Sequence, residues 1–233
     1  MKLIFVRHGE PRKEDYNLTE KGIKQTEYLG EYLKEENICK MYMGTFGRSV
    51  YTGKILNISL NIPFENKEWL NEFKHLVKVN ETQEQYPWEI KPNLWINDKE
   101  ALSPIDISNH RIYGDNKLKK EYENVWKNFD EILEKYGYKR KNNLYKVVLS
   151  NEETVVIVSH FATISVILSH LLNIPLSIVL NMFWIAPSAY VKLVTEEVEK
   201  GEAIFRCCEY GGISHLKNNS NLKSYYGLQN ETK

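Results

Sequence analysis

In two places an apolar run of this chain ends on side chains that carry chemistry. Lys2-Leu-Ile-Phe-Val6 runs into Arg7-His8-Gly9-Glu10, and Val156-Ile-Val158 runs into Ser159-His160. A histidine at a strand end, followed by glycine, leaves the backbone open to a ligand. The Arg7 guanidinium offers a planar fork that matches phosphate oxygens. Its charge disfavours imidazolium, so His8 is expected to be neutral and nucleophilic. The plain reading of Arg7–Glu10 is a charged loop after a strand, and of His160 a satisfied core histidine.

The elements around these residues set their positions. Lys2–Val6 and Thr154–Ser159 read as buried strands. Thr19 is the expected N-cap of a helix whose inner face is Ile23, Thr26, Leu29, Gly30 and Leu33, ending near Asn37. Ile38–Met43 is a second short apolar run, and Arg48–Leu56 reads as a helix closed by Asn57 and Pro63. Lys117–Tyr136 is strongly amphipathic, with Tyr122, Val125, Trp126, Phe129, Ile132 and Leu133 at helical spacing. Leu144–Leu149 reads as a strand or a helix end. Phe161–Leu172 and Leu176–Met182 read as helices, and Ala189–Val194 with Ala203–Cys208 as a late strand pair. Residues 75 to 116 show weak periodicity but hold Pro87, Trp88, Pro92, Trp95 and Pro104; they read as a folded insertion or cap. The final stretch, about 213–233, is Asn-rich and polar and is expected to be a mobile tail. Strands alternating with helices give an α/β three-layer sandwich with a mainly parallel sheet, whose ligands sit beyond the carboxyl ends of strands.

Further motifs follow in order. Leu18-Thr-Glu-Lys-Gly-Ile-Lys-Gln25 comes after the first loop, Arg48-Ser-Val-Tyr-Thr-Gly-Lys-Ile-Leu56 after the second run, and Leu70-Asn-Glu72 some twenty residues later. With Arg7-His8-Gly9 and Ser159-His160, this ordered set resembles the histidine phosphatase superfamily, which includes cofactor-dependent phosphoglycerate mutases. The resemblance covers roughly residues 1–75 and 150–195. It implies a phosphoglycerate mutase-like fold and a phosphohistidine on His8. It also implies that Arg7, Arg48 and a protonated His160 hold the phosphoryl group and that Glu72 protonates the leaving oxygen. Those residue types suit the reaction, which needs an in-line nucleophile, cations on the equatorial oxygens and an acid at the leaving group. With three cations around the phosphate, no metal and no cofactor are expected. Glu72 beside a dianionic phosphate is expected to have a raised pKa.

The sequence also departs from that family. Its Ser-Ser-Pro turn before the arginine is replaced by Met43-Gly44-Thr45 and Phe46-Gly47. Ser49 stands for an alanine and Tyr51 for a glutamine, while Thr52 keeps the threonine. Phe161 replaces the glycine after the second histidine. The first loop, Pro11–Tyr16, is short, which argues against mutase activity. Arg12 and Lys13 in that loop read as solvated rather than ligand-binding.

Composition bounds the remaining classes. The chain has 233 residues, 31 basic and 31 acidic, with 42% apolar and 12% aromatic side chains. That length fits one medium domain, 1–233, able to bury a sizeable core. Zero net charge and the lack of a basic aromatic stripe argue against nucleic acid. No Lys, Arg, Asp or Glu lies between Glu153 and Lys192. His160, Asn173, Pro175, Asn181 and Pro187 break that stretch, so core elements rather than a membrane span are expected. No P-loop, Gly-x-Gly-x-x-Gly, His-Glu-x-x-His or Cys-x-x-Cys is present. Cys39, Cys207 and Cys208 make no disulfide framework and suit a reducing cytoplasm; the short opening run, cut by Arg7, is no leader. Oligomeric state is left open.

The expected function is a metal-independent phosphatase acting on a small phosphorylated substrate, with Trp88, Trp95 and nearby tyrosines of the cap setting specificity. Beside it stand a phosphoglycerate mutase-type transfer and a catalytically weak module that binds phosphoproteins.

Overall fold

The computed structural model describes residues 1–15, 17–103 and 107–228. Tyr16, Pro104 and the last five residues of the expected tail lie outside the described residues. The elements in chain order are β1 (Lys2–Arg7), α1 (Glu20–Leu33), β2 (Ile38–Met43), α2 (Gly47–Leu60), β3 (Phe64–Asn66), β4 (Val77–Lys78), β5 (Glu84–Gln85), α3 (Asn116–Lys135), β6 (Tyr138–Lys141), β7 (Leu144–Val147), β8 (Thr154–Ser159), α4 (Phe161–Leu172), α5 (Leu176–Met182), β9 (Tyr190–Glu199) and β10 (Glu202–Gly212).

One eight-stranded sheet, in the order β3-β2-β8-β1-β9-β10-β7-β6, carries the fold. β3, β2, β8 and β1 are mutually parallel, and β9, β10, β7 and β6 join antiparallel in turn. Strands β3, β2, β8, β1, β10 and β6 therefore point one way and only β9 and β7 the other. The sheet is mainly parallel in direction, as the α/β reading expects. β1 and β8 are apolar on both faces because both faces are covered. Leu3 and Phe5 pack with α3 and α4 residues such as Phe129 and Ile164, whereas Ile4 and Val6 pack with Leu29 and Leu33 of α1 and Leu56 of α2. The alternation of side chains along a strand thus builds the three layers. Among the described residues no helix is long and apolar enough to cross a membrane.

Several expectations are corrected. Ile23 is 38% exposed; Gly22 and Gln25 take the inner positions of α1 instead. α2 runs on to Leu60 and ends at Asn61, which adopts a left-handed φ of 49°; Asn57 lies inside the helix and caps from within, its Oδ1 accepting from Ile62 N. Lys139–Lys141 belong to edge strand β6, where charge guards against foreign pairing. Residues 213–228 are no free tail. Gln25 Nε2 donates to Leu222 O at 2.6 Å, Ser224 bonds Glu10, and Leu216 and Leu222 are buried.

Gly9 has a different task from the one expected. A Cβ there would sit 2.6 Å from Gly22 O, and one on Gly22 would sit 2.3 Å from Glu10 O. The two glycines let α1 press against the chain just after His8, rather than making room for a ligand. Gly9→Ala is expected to destabilise the fold by about 1–3 kcal/mol through overpacking. The shift of the urea unfolding midpoint measures it; an unchanged midpoint would show that α1 moves away freely.

Candidate active site

β1 and β8 are neighbours with Val6 opposite Val158 and Arg7 opposite Ser159, so His8 and His160 leave adjacent strand ends together. Their ring centroids are 5.0 Å apart. His8 Nδ1 lies 2.8 Å from Gly9 O. A carbonyl only accepts, so Nδ1 carries the proton and Nε2 keeps its lone pair. Arg48 Nε stands 3.1 Å from His8 Nε2 and 3.1 Å from His160 Nδ1. One N–H therefore faces both rings, which fixes the His160 proton on Nε2. That nitrogen is buried without a hydrogen-bond partner among the described residues.

Arg7 is buried behind the pair and donates from Nη1 to Ile185 O at 2.6 Å. Burial brings its pKa down to about 10. The same burial, then Arg7 and Arg48, pushes His8 well below the usual histidine range. His160 is pushed well below it by burial, then by His8, Arg48 and Arg7. Both rings are neutral in the unliganded site. The protonated His160 implied by the resemblance thus requires the charge of a bound phosphate. Glu72 reaches the start of α4, where Oε1 accepts from Thr163 N at 3.2 Å and Oε2 from Ala162 N at 3.4 Å. Burial raises its pKa even though those N–H groups, Arg48 and Arg7 favour the carboxylate. Arg7, His8, Arg48, Glu72 and His160 are brought together in one place.

The chain matches the histidine phosphatase superfamily (branch 1) over residues 3–203. It belongs to that superfamily. No curated protein matches its sequence. Solved structures with the same fold include a phosphoserine phosphatase from Entamoeba histolytica in complex with 3-phosphoglyceric acid. It is 21% identical, with a TM-score of 0.57 over 92% of this chain and 98% of that one. YhfR from Bacillus stearothermophilus is 19% identical, with a TM-score of 0.58 over 93% and 99%. A mycobacterial glucosyl-3-phosphoglycerate phosphatase is 13% identical, with a TM-score of 0.55 over 91% and 98%.

This histidine phosphatase fold holds its site with residues the motifs did not single out. Asn71 Oδ1 accepts from Thr45 N at 2.7 Å and Phe46 N at 3.0 Å, and its Nδ2 donates to Thr45 Oγ1. Ser49 Oγ accepts from Gly44 N and donates to Val158 O. Together they shape the turn where the family has Ser-Ser-Pro. Thr52 Oγ1 accepts from Gly9 N and donates to Arg48 O, coupling the His8 loop to α2. Thr163 Oγ1 donates to Asn71 O and Ser159 Oγ to Leu70 O, which fixes the segment carrying Glu72. Ser188, in a left-handed φ of 62°, donates its N–H to Arg7 O and His8 O. Asn71 was within reach of the sequence, inside Leu70-Asn-Glu72; Ser188 left no signal there.

The site opens into a cleft of about 1000 Å³. Trp88 lines it, but Trp95 does not: it is buried, with its indole N–H on Ile90 O. Tyr226 and Gly227, from the expected tail, reach the cleft beside Arg7. Arg12 pairs with Asp15 at 2.6 Å and stays out of it, whereas Lys13 lines it. None of His75, His110, His170 and His215 does; His170 instead bonds Asp130 and stacks on Trp126.

Arg48→Lys is expected to cut kcat/KM about 10²- to 10³-fold, because an ammonium cannot keep one N–H between two rings and also offer a planar fork to the phosphate. Steady-state kinetics with circular dichroism as a folding check would read it. A loss under threefold would show that Arg48 supplies charge alone.

Proposed function

We propose that this protein is a metal-independent phosphatase that hydrolyses a phosphate monoester through a phosphohistidine on His8. The observation that carries the reading is the shared N–H of Arg48 between His8 Nε2 and His160 Nδ1, with His8 Nδ1 tied to Gly9 O. It keeps the His8 Nε2 unprotonated beside the guanidinium that would take a phosphoryl oxygen, and of the two rings His8 is the one that lines the cleft with Arg7 and Arg48.

In the first half-reaction His8 Nε2 forms a bond to phosphorus while the ester P–O bond breaks. The leaving oxygen takes the Glu72 proton. In the second half a water oxygen attacks phosphorus, the N–P electron pair returns to His8, and a water proton passes to the Glu72 carboxylate. Arg7, Arg48 and His160 hold the equatorial oxygens throughout, supplying the positive charge that a metal supplies in other phosphoryl-transfer sites. Three free, exposed cysteines support a reducing, cytoplasmic setting.

The test is phosphate release in the presence of EDTA, with rapid acid-free quenching to trap a phosphoprotein. The expected result is turnover unaffected by chelation and a trapped phosphate that is labile in acid and stable in alkali. Turnover lost to EDTA, or a phosphate stable in acid, would overturn the reading.

A further inference from the structure

We infer that the ester this site takes carries a flat aromatic ring system beyond its phosphate, an inference that rests on the function proposed above. The walls of the cleft carry it. Phe46, Phe73, Tyr86, Trp88, Phe161 and Tyr226 line a cavity of about 1000 Å³, at the upper end of ordinary small-molecule sites and far more than a three-carbon ester fills. Tyr86 and Trp88 stack at 4.8 Å with an interplanar angle of 6°, forming a flat platform on the segment between β3 and α3. The aromatic wall begins at the reacting end: the Phe46 ring meets His160 edge-on at 5.6 Å, and Arg7 Cζ lies 5.8 Å from the Phe161 ring centre. Among the described lining residues there is no Ser, Asn or Gln, and Thr45 brings the only aliphatic hydroxyl; the charged groups away from the reacting end are Lys13, Asp15, Lys74 and Glu89. A sugar or hydroxy acid could pair with those charged groups but would leave the aromatic walls uncovered. A flat ring would instead exchange water for stacking faces.

The competing substrate is an acidic one held by Lys13 and Lys74, which also line the cleft. Lys74 Nζ already lies 4.7 Å from the centre of the Phe46 ring, a cation–π contact that leaves it beside the proposed ring site rather than apart from it.

The experiment compares esters with the same type of primary alkyl leaving oxygen, so that leaving-group chemistry cancels. Adenosine 5′-monophosphate is set against ribose 5-phosphate, and 2-(2-naphthyl)ethyl phosphate against ethyl phosphate, with phosphoserine and 3-phosphoglycerate as the acidic arm. The expected result is a kcat/KM about 10- to 100-fold higher for the ring-bearing member. Preference in the first pair only names a nucleotide, and preference in both names a general aromatic ester. In Trp88→Leu and Phe46→Leu the ratio is expected to fall toward one, a readout that cancels any general loss of folded enzyme. Equal values within both pairs, an unchanged ratio in both variants, or an acidic ester faster than every ring-bearing one would overturn the inference. No turnover and no phosphohistidine with any ester would instead defeat the phosphatase reading. Calorimetric binding to the intact protein then decides the ring site, since naphthylethyl phosphate must still bind at least about tenfold tighter than ethyl phosphate.

Discussion

His8→Ala is expected to lower phosphate release from any monoester by about 10⁴-fold or more and to abolish the trapped phosphoprotein. The size follows from the lack of a substitute nucleophile. His160 is the only other imidazole at the site, and its Nδ1 accepts from Arg48 while the proton sits on Nε2. It is wholly buried and does not line the cleft, whereas His8 does. Water in the vacated space would meet the same arginines without a covalent step to divide the barrier. The variant should remain folded, because β1 is anchored by its pairing with β8 and β9 and not by the ring. Binding of orthovanadate or inorganic phosphate should survive, since Arg7 and Arg48 are untouched. Turnover within about tenfold of wild type, from a folded protein, would mean that another group makes the bond to phosphorus.

A second consequence concerns pH. His8 is already neutral well below the usual value of 6.5. Activity should therefore not decline through the ordinary histidine range as pH falls from 7 to about 6. Any loss there, after correction for ionisation of the substrate, would place a proton on the nucleophile and contradict the burial that keeps it neutral.

How far the sequence reached depends on how local each signal is. α4 and α5 were legible to the residue, because mainly apolar, charge-free runs bounded by Asn173, Pro175 and Phe183 admit little else. The core of the site was legible because Arg7, His8, Arg48, Glu72 and His160 each follow an apolar segment or sit in a recognisable motif. What escaped is what distant segments decide together. β6 is charged and half exposed, so only its pairing with β7 makes it a strand. The role of Gly9 depends on Gly22 across a loop. Trp88 and Trp95 look alike in the sequence, yet Ile90 O captures the Trp95 indole and turns it into the core. The terminal segment reads as polar disorder because its contacts, Gln25, Glu10 and Arg7, lie some two hundred residues away.

Glu72→Gln gives the second large effect and separates the roles of acid and structure. Glutamine keeps the shape but only one of the two accepting oxygens, so one of the Ala162 and Thr163 N–H groups keeps its acceptor and the other loses it. The amide has no acidic proton to give. For esters with alkyl leaving groups kcat is expected to fall about 10²- to 10⁴-fold. For p-nitrophenyl phosphate, whose leaving oxygen departs without a proton, the loss should be far smaller. The pH profile fixes the sign. Burial raises the Glu72 pKa, and catalysis uses the protonated form, so wild-type activity declines as pH rises through that raised value. Glutamine does not titrate, so the decline should vanish in the variant. Stability must move the opposite way. A carboxyl whose pKa is higher in the folded state lends stability below its unfolded pKa and loses it as pH rises through the folded one. The Tm of Glu72→Gln relative to wild type should therefore rise with pH through that range and fall back in acid. A loss of activity equal for alkyl and aryl esters, with no change in the pH profile, would make Glu72 a helix cap that never handles the proton.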